Sequence, residues 1–266
     1  MTVGVAPDQD PGLKRNFIYW KKRLFANEQL NMRERILERA GYSEEENLDI
    51  YEKYFKFMPN RLSYSLSKYG LGQARVLDIG CGRGEFLVHF GAGSVGVDSD
   101  AERAEFLRRL GIEIVEGNFE DDISVPDGTF DAVWCTDVLE HVLSPHLLLR
   151  RAHRKLKEHG LLFIGIPTVP SSRIVEKIIE LTVGWAGYKT MEHINGFTRR
   201  TAEFTIERAQ FDLLESGVFI THNRFANRAL SPVLNNLTGQ TLIIARKSTT
   251  RERPLTYAPA WAAEDM

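Results

Sequence analysis

The stretch Val76–Phe86 reads Val-Leu-Asp-Ile-Gly-Cys-Gly-Arg-Gly-Glu-Phe, and its pattern determines the expected fold. A short apolar run leads directly into three glycines at alternate positions, Gly80, Gly82 and Gly84. Glycine allows positive φ and lets a ligand approach the backbone without meeting a Cβ atom. The pattern therefore predicts a β-strand, a ligand-binding turn and then a helix whose first N–H groups are unpaired.

Short apolar runs alternate with amphipathic stretches after Gly72. The predicted strands are Arg75–Ile79, Ser94–Val97, Ile112–Glu116, Phe130–Cys135 and Leu161–Ile166, with helices at about 84–90, 101–110 and 145–158. This alternation predicts a parallel sheet with right-handed crossovers. Two further strands, Phe211–Thr221 and Gln240–Ala245, are expected to be antiparallel neighbours, because the link between them lacks helical periodicity.

The composition excludes several classes of protein. With 43% hydrophobic residues among 266, the chain can bury a substantial core, which excludes a wholly disordered chain. Its 34 basic and 36 acidic residues give a net charge of -2, so we expect no dedicated nucleic-acid binding. Two cysteines cannot form a four-cysteine zinc site, and no apolar leader or spanning segment is seen. These features predict a cytoplasmic protein without a membrane span.

Two acidic residues flank the glycine turn at informative positions. Asp98 ends the second strand 20 residues after Asp78, the interval at which an acid can bind ribose hydroxyls. Glu85 stands where a dinucleotide fingerprint needs a third small residue. Asp78 would repel a pyrophosphate but suits a ligand with an amino group and a sulfonium. An NAD-dependent oxidoreductase is therefore disfavoured.

The order D-x-G-x-G-x-G, then Asp98, resembles the class I (Rossmann-like) S-adenosylmethionine-dependent methyltransferases, over about residues 71–246. The resemblance implies an α/β fold: a doubly wound, seven-stranded, mostly parallel sheet with the last strand antiparallel. It also implies S-adenosyl-L-methionine as cofactor, with S-adenosyl-L-homocysteine as product. The cofactor-binding residues implied are Asp78, Gly80, Cys81, Gly82, Gly84, Asp98, Ser99, Asn118, Phe119 and Cys135.

Domain organisation follows from the same resemblance and from changes in the apolar and polar residue pattern along the chain. Residues 1–70 are expected to form an N-terminal arm and helical cap, 71–248 the methyltransferase domain, and 249–266 a tail. The segment 169–197 is longer than an ordinary crossover needs, and relatives build a substrate lid at that place. We therefore expect a lid insertion after strand 5.

The stretch Phe130–Val142 contains Leu-Glu-His-Val and resembles the small-molecule branch, including the ubiquinone-biosynthesis O-methyltransferases. His141 is the first candidate to remove a proton from an acceptor hydroxyl, and His193 is the second. Each histidine has an alternative structural role, bracing a loop or lying on the lid surface beside Trp185 and Tyr188. Asp137, Glu140 and His141 match a metal-binding set of these relatives, which carry Glu at the position of Asp137. A divalent metal at this set is kept as an alternative, and no metal ligand is predicted.

The expected function is methyl transfer to a small-molecule or lipid- or glycan-linked acceptor, with a hydroxyl as the favoured atom, by a monomer or homodimer. The alternatives are an RNA or protein methyltransferase, or a catalytically inactive binding subunit with this fold. One basic run comprises Arg150, Arg151, Arg154, Lys155 and Lys157. We expect a solvated helix face there, with Leu147, Leu148 and Leu156 towards the sheet, and binding of an anionic partner as the alternative.

Overall fold

The computed structural model describes residues 60–109, 111–121, 124–170, 192–218 and 239–249, together with Arg173, Ile174, Lys177 and Leu181. Most of the expected helical cap, most of the segment 169–197 and nearly all of the tail lie outside these residues. The expected domain boundaries therefore stay predictions.

One seven-stranded sheet organises the described residues. Its strands are β1 (Val76–Ile79), β2 (Val95–Asp98), β3 (Ile114–Glu116), β4 (Phe130–Thr136), β5 (Leu156–Thr168), β6 (Phe211–Val218) and β7 (Gly239–Lys247). Their spatial order is β3-β2-β1-β4-β5-β7-β6. The pairs from β3 to β5 are parallel, whereas β7 runs antiparallel to both β5 and β6. The predicted fold class is confirmed.

Helices connect the strands and cover the sheet. They are α1 (Asn60–Tyr69), α2 (Ala101–Arg109), α3 (Pro145–Lys155) and α4 (Arg199–Arg208). Local signals start α3 and α4: the Ser144 hydroxyl accepts from the Leu147 amide, and Thr198 forms a capping box with Thr201. None of the helices in the described ranges is long and apolar enough to cross a bilayer.

The sheet separates two apolar layers, because alternate residues of each strand point to opposite faces. In β4, Val133 and Cys135 contribute to one layer, while Ala132 and Trp134 contribute to the other. The first layer includes Leu148 of α3, and the second includes rings packed on Trp134. The central strands are thus covered on both faces, as expected for a doubly wound sheet.

Helix α1 is tied to the far edge of the sheet by a cluster around one carboxylate. Glu215 of β6 accepts hydrogen bonds from the hydroxyls of Tyr64 and Tyr69 and from the ammonium of Lys68. Tyr69 also packs edge-on against Phe163 of β5. These contacts fix α1 across the sheet, with its first turn near the carboxyl ends of the central strands.

Three local predictions are wrong. The stretch 84–90 contains only a 3₁₀ helix, Leu87–His89, because residues 87–90 are all buried and leave no polar helix face. Helix α3 ends at Lys155, and β5 begins immediately after it. The expected faces of α3 are also partly reversed. Leu147 is 40% exposed, while Lys155 is buried, donates to the Val125 carbonyl and pairs with Asp127.

Candidate functional site

The predicted site residues gather where the strand order reverses, between β1 and β4. Ligands of open α/β sheets bind in the crevice at this point, beyond the carboxyl ends of the strands. The Gly80–Gly84 turn follows β1, Asp98 ends β2, and the Asp137–His141 stretch follows β4. The fold therefore brings the predicted cofactor and acceptor residues to one edge of the sheet.

Steric constraints explain two glycines of the turn. Gly80, Gly82 and Gly84 all have positive φ, of 68°, 57° and 80°. A Cβ atom on Gly80 would lie 2.3 Å from Cγ2 of Val138, and one on Gly84 would lie 2.9 Å from Cδ2 of Leu107. At Gly82 the nearest neighbour would be the Glu85 carboxylate, at 3.5 Å, so the space above Gly82 is open. This open backbone is where a ligand can approach most closely.

The Asp98 carboxylate is buried, and its hydrogen bonds connect the glycine turn to the end of β2. Its Oδ2 accepts from the Gly82 amide at 2.8 Å, and its Oδ1 accepts from the Asp100 amide at 3.0 Å. Arg103 lies 3.8 Å from Oδ1. The Gly82 amide is thus already bonded to Asp98. Carboxylate oxygens can accept further hydrogen bonds, so Asp98 can still bind ribose hydroxyls.

Asp78 is 1% exposed, and its Oδ2 has no hydrogen-bond partner. Burial raises its pKa well above the usual range, and the negative charges of Glu85 and Asp98 raise it further. A buried carboxyl oxygen without a partner is costly. A cationic amino group would satisfy this oxygen and offset the local negative charge. This orphaned oxygen fits S-adenosylmethionine, whose amino group and sulfonium are both cationic.

The other predicted cofactor residues differ in exposure. Ser99 and Asn118 are exposed at the ends of β2 and β3, whereas Phe119 is 4% exposed and belongs to the core. The Asn118 side-chain oxygen, expected to face adenine, accepts from the Glu120 amide at 2.9 Å. No observation tests their contact with adenine, which stays a prediction.

Cys81 and Cys135 are free and buried. Burial raises the pKa of both thiols, and nearby carboxylates raise it further. Neutral buried thiols are poor nucleophiles, so these cysteines contribute packing and backbone position.

Three titratable side chains converge at the acceptor side of the crevice. The candidate ligand atoms of Glu140, His141 and His193 lie within 4.8 Å of one another, and the two imidazole rings meet edge to face at 4.7 Å. The segment carrying His193 is held there because the amides of Ile194 and Asn195 donate to the Glu140 carbonyl. The two histidines predicted from the sequence therefore form one cluster.

The Glu140 carboxylate lies beneath these imidazoles. It is 1% exposed, and neither of its oxygens has a hydrogen-bond partner. Burial raises its pKa to about 7, and the charge of Asp137 raises it further, whereas the backbone amide of Glu140, His193 and Arg61 act in the opposite direction. The site thus holds a carboxyl group that can change charge near neutral pH.

The cluster also offers a donor set for a divalent ion. One carboxylate and two imidazoles are common ligands of such ions, and the orphaned Glu140 oxygens fit this role. The metal set suggested by the family resemblance included Asp137. In the structure Asp137 instead pairs with Arg61 at 2.6 Å, and His193 completes the cluster.

Arg61 is a site residue that sequence analysis missed. Its guanidinium is 13% exposed, pairs with Asp137 and lies 5.3 Å from the Phe86 ring centroid. Asp137 adopts a positive φ of 59°, and its amide donates to the Gly165 carbonyl of β5. Arg61 and Asp137 are 76 positions apart, and no local pattern signals such a pair. Trp185 and Tyr188, the two aromatics expected on the lid, lie outside the described residues.

Comparisons with known proteins agree with this geometry. A family model described as a methyltransferase domain matches residues 25–216, more than half of the chain. A ubiquinone biosynthesis O-methyltransferase of Xanthomonas oryzae pv. oryzae is 37% identical over 116 residues, covering 40% of this chain and 48% of the relative. The Vibrio parahaemolyticus protein of the same name is 35% identical over 117 residues, covering 40% and 50%. The chain thus spans about half the length of these curated relatives.

Solved structures share the fold at low identity. A SAM-dependent methyltransferase from Archaeoglobus fulgidus aligns with a TM-score of 0.51 at 24% identity, covering 75% of this chain and 99% of that one. The [4+2]-cyclase SpnF aligns with a TM-score of 0.54 at 16% identity, covering 71% and 81%. Because a cyclase shares this fold, the reaction must be inferred from the site and not from the fold alone.

Proposed function

The chain belongs to the methyltransferase-domain family, and we propose that it is an S-adenosylmethionine-dependent methyltransferase. The proposed acceptor is a hydroxyl group of a small molecule or of a lipid- or glycan-linked compound. The observation that carries the choice of a hydroxyl is the convergence of His141, His193 and Glu140 on one side of the crevice. The name of the Xanthomonas relative supports oxygen as the methylated atom.

The residues around the glycine turn would hold the cofactor. Asp98 would accept hydrogen bonds from the ribose hydroxyls, and the Asp78 carboxylate would pair with the cationic amino group of the methionine part. When bound, S-adenosylmethionine supplies a methyl carbon activated by its sulfonium. Arg61 is half-buried, pairs with Asp137 just after β4, and is proposed to pair with the cofactor's carboxylate. Methyl transfer is an in-line displacement, so the protein mainly aligns the acceptor with this carbon.

His141 is the proposed proton acceptor, and its hydrogen bond defines which nitrogen is available. Nδ1 lies 2.9 Å from the Glu192 carbonyl oxygen. A carbonyl only accepts, so Nδ1 carries the hydrogen, and Nε2 of the neutral ring has the free lone pair. That lone pair can remove the proton of an acceptor hydroxyl. His193 and Glu140 then stabilise the charged imidazolium, since Glu140 can become a carboxylate near neutral pH.

A divalent ion held by Glu140, His141 and His193 would supply an alternative means of lowering the acceptor hydroxyl's pKa. In that case Glu140 must be ionised and His141 would act as a ligand and not as the base. Metal dependence of turnover, measured with and without EDTA, separates the two roles.

The methylated atom can be tested with matched pairs of aromatic acceptors, in which one member carries a hydroxyl group where the other carries an amino group. The proposal predicts label transfer from methyl-labelled S-adenosylmethionine to the hydroxyl member of a pair and loss of that transfer in His141→Ala. Transfer confined to the amino members, to RNA or to peptides would contradict the proposed acceptor. The cytoplasmic location and the monomeric or dimeric state belong to the same proposal.

A further inference from the structure

Helix α3 carries a basic pocket that the proposed reaction does not use. Helical spacing places Leu147, Arg150, Arg151 and Arg154 along one stripe of α3. The described residues lining the pocket, of about 400 Å³, are these four together with His153. The opposite face of α3, with Leu148, Leu149 and Ala152, is buried against the sheet. The arginines therefore line a concave surface and not merely a solvated helix face.

Two arginines of the pocket lack a carboxylate partner among the described residues. Within the described ranges, no carboxylate pairs with Arg150 or Arg151, and the Arg151 guanidinium donates a hydrogen bond to the Phe119 carbonyl at 3.1 Å. Asp127 pairs with Lys155, and the charge of Arg154 also lowers the pKa of Asp127. A ligand with two or more negative charges would balance this arrangement better than a single carboxylate.

His153 adds a polar group to the same lining. Its Nε2 is buried without a hydrogen-bond partner. Burial lowers its pKa to about 4, and the charges of Lys247 and Arg150 lower it further. His146, one turn before Arg150, has its pKa lowered by burial and by Arg150. Burial is the main cause at both histidines, and the charge of Arg150 adds to it at each.

We propose that the pocket formed by Leu147, Arg150, Arg151, His153 and Arg154 binds a phosphate-bearing small ligand, with a diphosphate as the best match. Guanidinium groups bind phosphate oxygens with two parallel hydrogen bonds each. Arg150 and Arg154 are one helical turn apart, a rise of about 6 Å, which suits one or two phosphates. An extended nucleic-acid strand would need a longer basic track and is not favoured.

Calorimetric titration of the full chain with inorganic pyrophosphate at low ionic strength tests the proposal. The double variant Arg150→Gln/Arg154→Gln should bind at least about tenfold more weakly, because it removes two of the three guanidinium groups that line the pocket. The matched control is Arg109→Gln/Arg200→Gln, which removes two exposed charges from α2 and α4. It should bind as the wild type does.

A conservative variant protects the test from misfolding. Arg150→Lys/Arg154→Lys keeps both charges but loses the paired hydrogen bonds, so its affinity should fall between wild type and the glutamine variant. Thermal melts establish that all variants are folded. Equal pyrophosphate affinity in wild type and the glutamine variant, or no binding by folded wild type, would overturn the proposal.

Vesicles distinguish a free ligand from a lipid headgroup. Co-sedimentation with phosphatidylcholine vesicles containing 3 parts in 10 phosphatidylglycerol or none is measured for wild type and both glutamine variants. If wild type binds pyrophosphate and also binds the anionic but not the neutral vesicles, and Arg150→Gln/Arg154→Gln loses both, the ligand is the phosphate of a lipid headgroup. Binding of a short single-stranded RNA without pyrophosphate binding would contradict a small-ligand pocket.

Discussion

The imidazole rings of His141 and His193 meet edge to face with centroids 4.7 Å apart, although 52 positions separate them in sequence. The backbone bonds from Ile194 and Asn195 to the Glu140 carbonyl hold this pair together. The arrangement places a second imidazole directly beside His141, the proposed proton acceptor.

Replacing His141 with Ala should lower kcat by about 100-fold or more, the usual contribution of a general base. The affinity for S-adenosylmethionine should change by less than about twofold, because the cofactor residues lie across the crevice. Turnover is measured with the hydroxyl acceptor of the matched pairs. The control is His146→Ala, which lies in the first turn of α3 and outside the cluster, and it should keep wild-type kcat. Full turnover by His141→Ala would refute the base assignment.

Glu140 should make stability depend on pH. Its pKa rises from 4.5 to about 7 on folding, so the folded state retains a proton that the unfolded state loses between these values. The contribution of this proton to the free energy of unfolding is complete below pH 4.5. It declines as the pH rises to about 7, and above that the free energy of unfolding no longer changes on account of Glu140. Glu140→Gln removes this decline and should stabilise the protein at pH 8 by up to about 3 kcal/mol. The gain should vanish near pH 4.5.

Denaturant titrations of wild type and Glu140→Gln at both pH values, with EDTA present, provide the measurement. Asp137→Asn is a suitable comparison, since its carboxylate is paired with Arg61 and more exposed. A Glu140→Gln variant equally destabilised at both pH values would show that Glu140 is ionised and satisfied in the folded protein.

Substitution of Asp78 should weaken S-adenosylmethionine binding without lowering the stability of the protein. Asp78→Asn replaces a buried acid whose Oδ2 lacks a partner, so the free energy of unfolding should be unchanged or higher. Its affinity for S-adenosylmethionine should fall at least about tenfold, because the cationic end of the ligand loses its counter-charge. Thermal melts and calorimetry on one preparation measure both. Lower stability with unchanged affinity would contradict the role assigned to Asp78.

The glycine turn allows a matched pair of substitutions. Gly80→Ala places Cβ 2.3 Å from Val138 Cγ2 at positive φ, so it should cost roughly 2–4 kcal/mol of unfolding free energy. Gly82→Ala incurs only the conformational cost, about 1–2 kcal/mol, because its Cβ would meet only the Glu85 carboxylate at 3.5 Å.

Adding Val138→Ala should recover the steric part of the Gly80→Ala loss but not the backbone part. Denaturant unfolding of the single and double variants measures this difference. Equal losses for the two glycine substitutions would contradict the packing of Gly80 against Val138.

Local signals made much of the fold and site predictable. The strand before Gly80 and the 20-residue interval from Asp78 to Asp98 lie within one βαβ unit, where spacing determines position. The topology and the shared position of His141 and His193 followed from the order of such units and from family motifs. Residues 84–90 did not form the expected helix, because burial of Leu87, Val88 and Phe90 outweighed helical spacing.

Long-range pairs could not be predicted in the same way. The Arg61–Asp137 bridge and the burial of Lys155 depend on which segments the fold brings together, and neither has a sequence periodicity. The orphaned oxygens of Asp78 and Glu140 are likewise properties of packing. Sequence could nominate both residues but could not show that both are buried without partners.

The most direct test of the account is calorimetric titration of the purified protein with S-adenosylmethionine, S-adenosylhomocysteine and NAD. The account predicts binding of the first two ligands and no binding of NAD. Asp98→Ala should bind S-adenosylmethionine at least about tenfold more weakly, because it removes the carboxylate that lies at the end of β2 against the glycine turn. Glu113→Ala, an exposed acid before β3, should bind as the wild type does. Binding of NAD alone, or equal affinity in Asp98→Ala, would contradict the cofactor site.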